Sequence, residues 1–317
     1  MFKKIYNEML RAEKIIIHRH TKPDGDALGS QIGLKEALIS SFKNKKVFVV
    51  GDTSEKYSWI GQMDEISDEE YNNALVIVVD CGAEKLINDE RYKLGKKIIK
   101  IDHHIPQGTY GDIVHVDTDS ESCASIIAEL IFNTKLVMTE KAAAAIFTGI
   151  VTDSGRFRYS SNKSRIYNIV SKLMQYNIPT ESIYNKIYME KLDMVKLRAE
   201  LITKFKVTDE GVAYLINTKE DVEKYKETYK VNIFDISRGM VNIMGGIENI
   251  PVWVNFTEDG ENGIYVEIRS NQYNINQVAA KHNGGGHLQA SGCTIYTYEE
   301  VEQIINELND VVKEAKC

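Results

Sequence analysis

The sequence of 317 residues carries only four cysteines, Cys81, Cys123, Cys293 and Cys317, and no two of them form a C-x-x-C pair. That excludes a disulfide framework and a thiolate zinc site and leaves free thiols. Long apolar runs are lacking too, for the longest, around residues 74–79, is far too short to cross a bilayer. The charged opening MFKKIYNEMLRAEK has no apolar core of the kind a signal peptide needs. A soluble cytoplasmic protein with no membrane partner is expected. Positive charge is in deficit, the formal net charge being -7, so no surplus of Lys and Arg exists to hold long duplex nucleic acid by broad phosphate neutralisation. A small anion in a local pocket is compatible with that charge. Internal repeats and low-complexity segments are absent.

What is present begins with apolar mass: 43% hydrophobic residues in a chain this long exceed what a single core holds, so two domains are expected. Short apolar runs at 14–18, 46–50, 74–80, 97–102 and 112–116 each precede a turn and, in several cases, a helical pattern, as at 27–41, 122–132, 140–148 and 163–175. This rhythm predicts an α/β domain over 1–185, with a mostly parallel sheet and helices on both faces. Residues 183–205 read as one continuous charged helix without Gly or Pro, so 186–205 is expected to be a stiff helical linker. Runs at 212–216, 251–256 and 263–269 and an amphipathic helix at 298–313 predict a smaller α+β domain over 206–317.

The chemistry-bearing residues gather where the predicted strands end. The first strand runs into His18-Arg19-His20-Thr21-Lys22-Pro23-Asp24-Gly25-Asp26, at the edge where open α/β sheets place their sites. His20, Asp24 and Asp26 can converge from so short a turn, while Asp24 or Asp26 also suits the N-cap of the following helix. Residues 74–79 end in Asp80-Cys81-Gly82, residues 97–101 end in Asp102-His103-His104, and Thr152-Asp153-Ser154-Gly155 follows an apolar helix expected to end near Ile150. Two adjacent histidines after a buried strand are costly unless each ring nitrogen finds a partner. Carboxylates with a minority of imidazoles and no thiolate favour manganese or magnesium. Six such ligands exceed what one ion with open water positions needs, and paired ions form a clamp for in-line displacement at phosphorus.

The set HTKPDGD, DCG, DHH and TDSG, in this order and spacing, resembles the DHH superfamily of phosphoesterases across the whole N-terminal domain. The run Gly284-Gly285-Gly286-His287, preceded by a strand ending in Ile268-Arg269-Ser270, is similar to the DHH-associated substrate domain. The two-domain layout resembles nano-RNases that also act as pAp phosphatases. The resemblance implies two manganese ions, with Mg2+ or Co2+ as substitutes: His20, Asp24 and Asp80 would hold one, and Asp26, Asp80, His103 and Asp153 the other. Asp80 would bridge them, and His104 would face the substrate or the bridging water. Asp102 suits a second role, accepting a hydrogen bond from a ligand imidazole and fixing its tautomer. His18 reads as a satisfied strand histidine, and Phe157 and Tyr159 as half-buried strand residues.

Glycines at 284–286 leave backbone N–H groups open to a phosphate, and Arg269 offers a planar fork for a terminal phosphate. His287 can bond a phosphate oxygen or stack on a base. One domain would then grip the substrate and the other cut it. The expected substrates are short RNA of about two to five nucleotides, cut to mononucleotides, and 3'-phosphoadenosine 5'-phosphate, converted to AMP. A cyclic or linear dinucleotide phosphodiesterase and a pyrophosphatase-like enzyme stay open as alternatives, as does a homodimer. A non-catalytic nucleotide binder would not need a full ligand set.

Overall fold

β-branched residues fill both faces of the first sheet, and this is what turns the apolar runs into strands. A computed structural model describes residues 1–106, 108–159 and 162–314. Cys317 lies outside the described residues; Cys81, Cys123 and Cys293 are free thiols. The chain divides into two compact units, Met1–Met189 and Glu190–Cys317. Among the described residues no helix is long and apolar enough to cross a membrane.

The first unit runs α1 (Phe2–Arg11), β1 (Lys14–His18), α2 (Gly25–Ser41), β2 (Lys46–Val49), β3 (Leu75–Val79), β4 (Lys97–Asp102), β5 (Ile113–Val116), α3 (Cys123–Phe132), α4 (Glu140–Asp153), α5 (Lys163–Leu173) and α6 (Thr180–Tyr188). The five strands are parallel, in the order β2-β1-β3-β4-β5. From β1 the chain steps to β2 on one side and crosses to β3 on the other, so the order reverses between β1 and β3, and ligands of open α/β sheets bind at the carboxyl ends beside such a reversal. One face presents Ile15, Ile17, Ile77 and Ile99 to the α-helices. The other presents Ile16, Val76 and Val78 to Tyr71 and Tyr92, which stand on short 3-10 turns at Asp68–Tyr71 and Glu90–Leu94.

Helices α2 and α4 approach closely because Gly29 carries no side chain: a Cβ there would lie 2.5 Å from the Ala145 carbonyl oxygen. At the end of the same contact, a Cβ on Gly25 would lie 2.4 Å from Thr152 Oγ1. The N-terminus of α2, with Asp24 and Asp26, is thereby set against the C-terminus of α4, with Asp153. One expectation changes here: α4 continues past Ile150 to Asp153. Thr148, Thr152 and Ser154 donate their hydroxyls to the carbonyls of Ala144, Thr148 and Ile150 at 2.8, 3.0 and 2.6 Å, which holds turn-forming residues in helix.

The expected continuous helix over 183–205 is also corrected, for α6 ends at Tyr188 and α7 (Leu192–Lys204) begins a new element. Ile183 and Ile187 belong to the first unit's core, whereas Leu197 and Leu201 belong to a core of the second. Two apolar stripes committed to different cores interrupt the helix between them.

The second unit continues with β6 (Lys206–Val207), β7 (Val212–Asn217), α8 (Lys219–Tyr229), α9 (Ile233–Ile236), β8 (Val252–Glu258), β9 (Ile264–Ser270), α10 (Asn276–Lys281), β10 (Gly285–His287), β11 (Ala290–Ile295) and α11 (Tyr298–Glu314). Its sheet has the order β10-β11-β9-β8-β7-β6, antiparallel except between β7 and β8. Val254, Phe256, Val266 and Ile268 pack under α10 and α11 on one face, and Ala213, Leu215 and Trp253 pack under α7 and α8 on the other.

Candidate metal centre

The loop after β1 is fixed before any ligand is considered. Arg19 is fully buried and donates to the Gln31 side chain at 3.1 Å, to the His20 carbonyl at 3.0 Å and to the Asp52 carbonyl. His20 forms an isolated bridge to Ile87, and the Thr21 N–H donates to the Leu86 carbonyl at 2.8 Å. Asp24 caps α2, its Oδ1 accepting from the N–H groups of Asp26 and Ala27, both at 3.0 Å. Asp26, in the first turn of α2 and buried, accepts from the N–H groups of Cys123 and Ala124 at 2.7 and 2.8 Å. It therefore ties the start of α3 to the start of α2.

Asp80 follows β3 with φ 51°, a left-handed conformation that costs an L-residue with a side chain on the order of 1 kcal/mol and tends to mark functional positions. Its buried carboxylate has two oxygens that face two different sets of groups. Oδ2 lies 3.5 Å from His20 Nε2, which is itself 3.9 Å from Asp24 Oδ1. Oδ1 lies 3.4 Å from His103 Nε2, which is 3.8 Å from Asp26 Oδ2 and 3.5 Å from Asp153 Oδ2. Asp80 Oδ1 is buried without a hydrogen-bond partner. Potential ligand atoms thus fall into three sets, each within 4.8 Å: His20, Asp24 and Asp80; Asp26, His103 and Asp153; and Asp80, His103 and His104.

These residues fit a pair of divalent cations. Atoms bonded at about 2.1 Å to one ion sit roughly 3.0 to 3.4 Å apart, close to the spacings around His20 and His103. The tautomers agree as well: His20 Nδ1 meets the Thr21 carbonyl at 2.7 Å and His103 Nδ1 meets the Ser120 carbonyl at 3.3 Å. A carbonyl only accepts, so each Nδ1 carries a proton, which leaves Nε2, the nitrogen facing the carboxylates, as the one that would bind an ion. Four carboxylates, on Asp24, Asp26, Asp80 and Asp153, match the charge of two divalent ions.

The protein's own electrostatics register the crowding. Burial, then repulsion from Asp80 and Asp153, pushes the Asp26 carboxyl well above the usual range. Burial raises Asp153 to about 7, with His103 opposing and Asp80 adding to the rise. Burial works against protonation of His20 and His103, yet the nearby Asp80 carboxylate lifts them to about 9 and about 10. Burial also opposes ionisation of Asp80, but its two imidazole neighbours hold it well below the usual carboxylate range.

Asp102 grips a different imidazole from the one expected. Its Oδ1 accepts from His104 Nδ1 at 2.9 Å and from the His103 N–H at 2.9 Å, while His103's own Nδ1 is taken by Ser120. His104, half-exposed, is held by this bond, which raises its pKa. Lys100, buried, stands 3.2 Å from Asp102 Oδ2 and donates to the Gly82 carbonyl at 3.2 Å. Lys100 and Arg19 did not figure among the expected site residues. The signal for Lys100 was a charge on the same strand face as Ile98, inside an apolar run. His18 faces away, bonded through Nε2 to the Tyr71 hydroxyl at 3.1 Å, with burial lowering its pKa to about 4.

In the second unit the expected phosphate loop is a β-hairpin. Gly285 pairs with Gly292 and His287 with Ala290, which in turn pairs with Arg269. A Cβ on Gly284 would lie 2.2 Å from the Gly292 carbonyl oxygen and one on Gly286, at φ 140°, 2.5 Å from that of Ala290, whereas Gly285 faces open space. Two of the three glycines are thus required by hairpin packing. Arg269 is already engaged, with Glu267 Oε2 at 2.9 Å and the Ile268 and Ser291 carbonyls at 2.8 and 3.4 Å. His282 pairs with Glu307 at 3.2 Å.

A parallel sheet with a carboxylate–imidazole centre at its order reversal, followed by a mixed sheet with a Gly-Gly-His hairpin, defines a class, and comparison with known proteins gives it a family. Residues 14–150 match the DHH family, N-terminal domain, and residues 223–314 match the DHHA1 domain. The chain belongs to the DHH phosphoesterase family and is a hydrolytic enzyme. It is 37% identical, over 98% of its length and 99% of the relative's, to the "Probable bifunctional oligoribonuclease and PAP phosphatase NrnA" of Streptococcus mutans. Identity to the bifunctional oligoribonuclease and PAP phosphatase NrnA of Bacillus subtilis is 36%, over 95% of this chain and 96% of that one. The crystal structure of an exopolyphosphatase-related protein from Bacteroides fragilis superimposes with a TM-score of 0.83 at 29% identity, covering 98% of this chain and 97% of that one.

Proposed function

We propose that this chain is a manganese-dependent phosphoesterase that hydrolyses RNA of about two to five nucleotides to mononucleotides, and 3'-phosphoadenosine 5'-phosphate to AMP, in the cytoplasm where such fragments arise. The observation that carries this reading is Asp80, whose two oxygens face two separate sets of ligand atoms. The names borne by the full-length relatives support the substrate class.

His20, Asp24 and Asp80 would hold one ion, and Asp26, Asp80, His103 and Asp153 the other. Bound there, the pair supplies an activated water at neutral pH and charge neutralisation at the phosphoryl group. The remaining work falls to the side chains. Asp102 accepts a hydrogen bond from the His104 Nδ1–H and favours the imidazolium form of that ring, whose other N–H would donate to a phosphoryl oxygen or to the leaving oxygen. His104 and, behind it, Lys100 keep Asp102 ionised. Arg19 and the Ile87 bridge hold His20 in place, so the ligand geometry is set before substrate arrives. In the second unit Arg269, Gly285 and His287 would bind a terminal phosphate, with Glu267 giving way as the phosphate takes its place on the guanidinium.

The test is hydrolysis of a 5'-phosphorylated dinucleotide, 3'-phosphoadenosine 5'-phosphate, a cyclic dinucleotide and pyrophosphate, each with manganese, magnesium and chelator. Manganese-dependent turnover dominated by the first two is expected. Preference for the cyclic compound or pyrophosphate would overturn the substrate assignment.

A further inference from the structure

A patch of the first unit outside the metal centre alternates cations with aromatic rings. Immediately after Asp153 the chain enters three successive left-handed residues, Gly155, Arg156 and Phe157, at φ 56°, 61° and 67°. Two of these carry side chains, so the turn is held against its intrinsic preference. The Arg156 N–H donates to the Val151 carbonyl at 3.0 Å, the Phe157 N–H to Ser154 Oγ at 2.9 Å and the Tyr159 N–H to the Ser154 carbonyl at 2.9 Å. Phe157, expected as a strand residue, instead anchors this turn in the core beside Phe147. The result is that the exposed guanidinium of Arg156 stands over the ring of Tyr188, 4.5 Å from its centroid.

Among the other cation–ring pairs of this unit, Lys186 lies 4.8 Å over Trp59 and Lys56 lies 5.1 Å over Tyr57. Among the described residues no carboxylate pairs with Arg156, Lys186 or Lys56. Lys186 and Tyr188 both belong to α6, so the Trp59 pair and the Arg156 pair meet at one helix. Both arms of the patch are anchored to the metal centre. The segment bearing Tyr57 and Trp59 leaves the carboxyl end of β2 and is held at the Asp52 carbonyl by Arg19, which also holds His20; the other arm begins at Asp153.

Aromatic faces interleaved with cations suit single-stranded nucleic acid, whose bases stack while its phosphates meet positive charge. We propose that Tyr57, Trp59, Arg156 and Tyr188 form a stacking subsite for nucleotides of an RNA substrate beyond the one being released. The subsite would distinguish an oligonucleotide from a nucleoside bisphosphate, and it rests on the short-nucleotide reading above.

The test is isothermal titration calorimetry of the full chain in chelator, with a 5'-phosphorylated trinucleotide, the same trinucleotide lacking its bases, and 3'-phosphoadenosine 5'-phosphate. Tyr188→Leu should weaken trinucleotide binding about tenfold, the size of one lost base stack, and leave the base-free strand unchanged. Arg156→Gln should weaken the trinucleotide and the base-free strand alike, and both variants should bind 3'-phosphoadenosine 5'-phosphate as the wild type does. Trinucleotide affinities within twofold of wild type in both variants, or equal losses for the trinucleotide and the bisphosphate, would overturn the subsite while leaving the enzyme's assignment intact. A wild-type chain that neither binds nor cleaves the trinucleotide would remove the short-nucleotide reading and the subsite together.

Discussion

Asp80 in the first unit and Arg269 in the second are both charged groups nominated from the sequence, and they sit in opposite circumstances. Around Asp80, donors and acceptors face one another at 3.4 to 3.9 Å, too long for good hydrogen bonds, and Oδ1 has no hydrogen-bond partner. Around Arg269, Glu267 and two backbone carbonyls already use the guanidinium. A centre with four carboxylates and fewer imidazoles suits added cations; a cation already matched would have to exchange one partner for another. The first arrangement would make chemistry depend on an added group, whereas the second would make binding a competition.

The sharpest way to break this contrast is Asp80→Asn. Asn tolerates the left-handed backbone, so the fold should survive with its melting temperature little changed while hydrolysis falls by more than about a thousandfold. Substantial turnover in a variant that still binds two ions would remove Asp80 from the bridging role. Next in size, Arg269→Ala should raise KM for substrates with a terminal phosphate by roughly ten- to a hundredfold at nearly constant kcat; a matching rise for substrates without that phosphate would count against it.

Asp102→Asn should lower kcat by about tenfold. It also leaves buried Lys100 without a counter-charge, at a cost of about 3 kcal/mol measurable by urea denaturation; unchanged kcat would mean His104 needs no anchor. Glycine substitutions separate hairpin from ligand: Gly284→Ala should cost about 1 to 3 kcal/mol through steric clash, whereas Gly285→Ala should leave stability alone and raise KM a few-fold. An unchanged KM in Gly285→Ala would leave the glycines a purely structural role. Smallest of all, Glu267→Gln should lower KM about twofold by freeing the guanidinium, and a higher KM would show that Glu267 instead helps to orient it.

Much of the first unit was legible because turn chemistry and strand ends coincide in the sequence. β1 and β4 begin and end at the expected residues, and His20, Asp24, Asp26, Asp80, His103 and Asp153 meet in space. The connections that span the chain were not legible. Asp26 binds the N-terminus of a helix 97 residues away, Asp80 adopts a backbone conformation that no local glycine announces, and Lys100 hides in an apolar strand. Strands β10 and β11 escaped notice because GGGHLQASGC is polar and glycine-rich, and its pairing is set by the long-range register with β9. The extent of α4 was misjudged because Thr and Ser there bond back to the helix instead of ending it.

The most direct measurement of the central claim is anomalous scattering from crystals soaked in manganese. Two peaks are predicted, one beside Asp80 Oδ2 among His20 and Asp24 and one beside Asp80 Oδ1 among Asp26, His103 and Asp153. A single peak, or two peaks that do not share Asp80, would contradict the account.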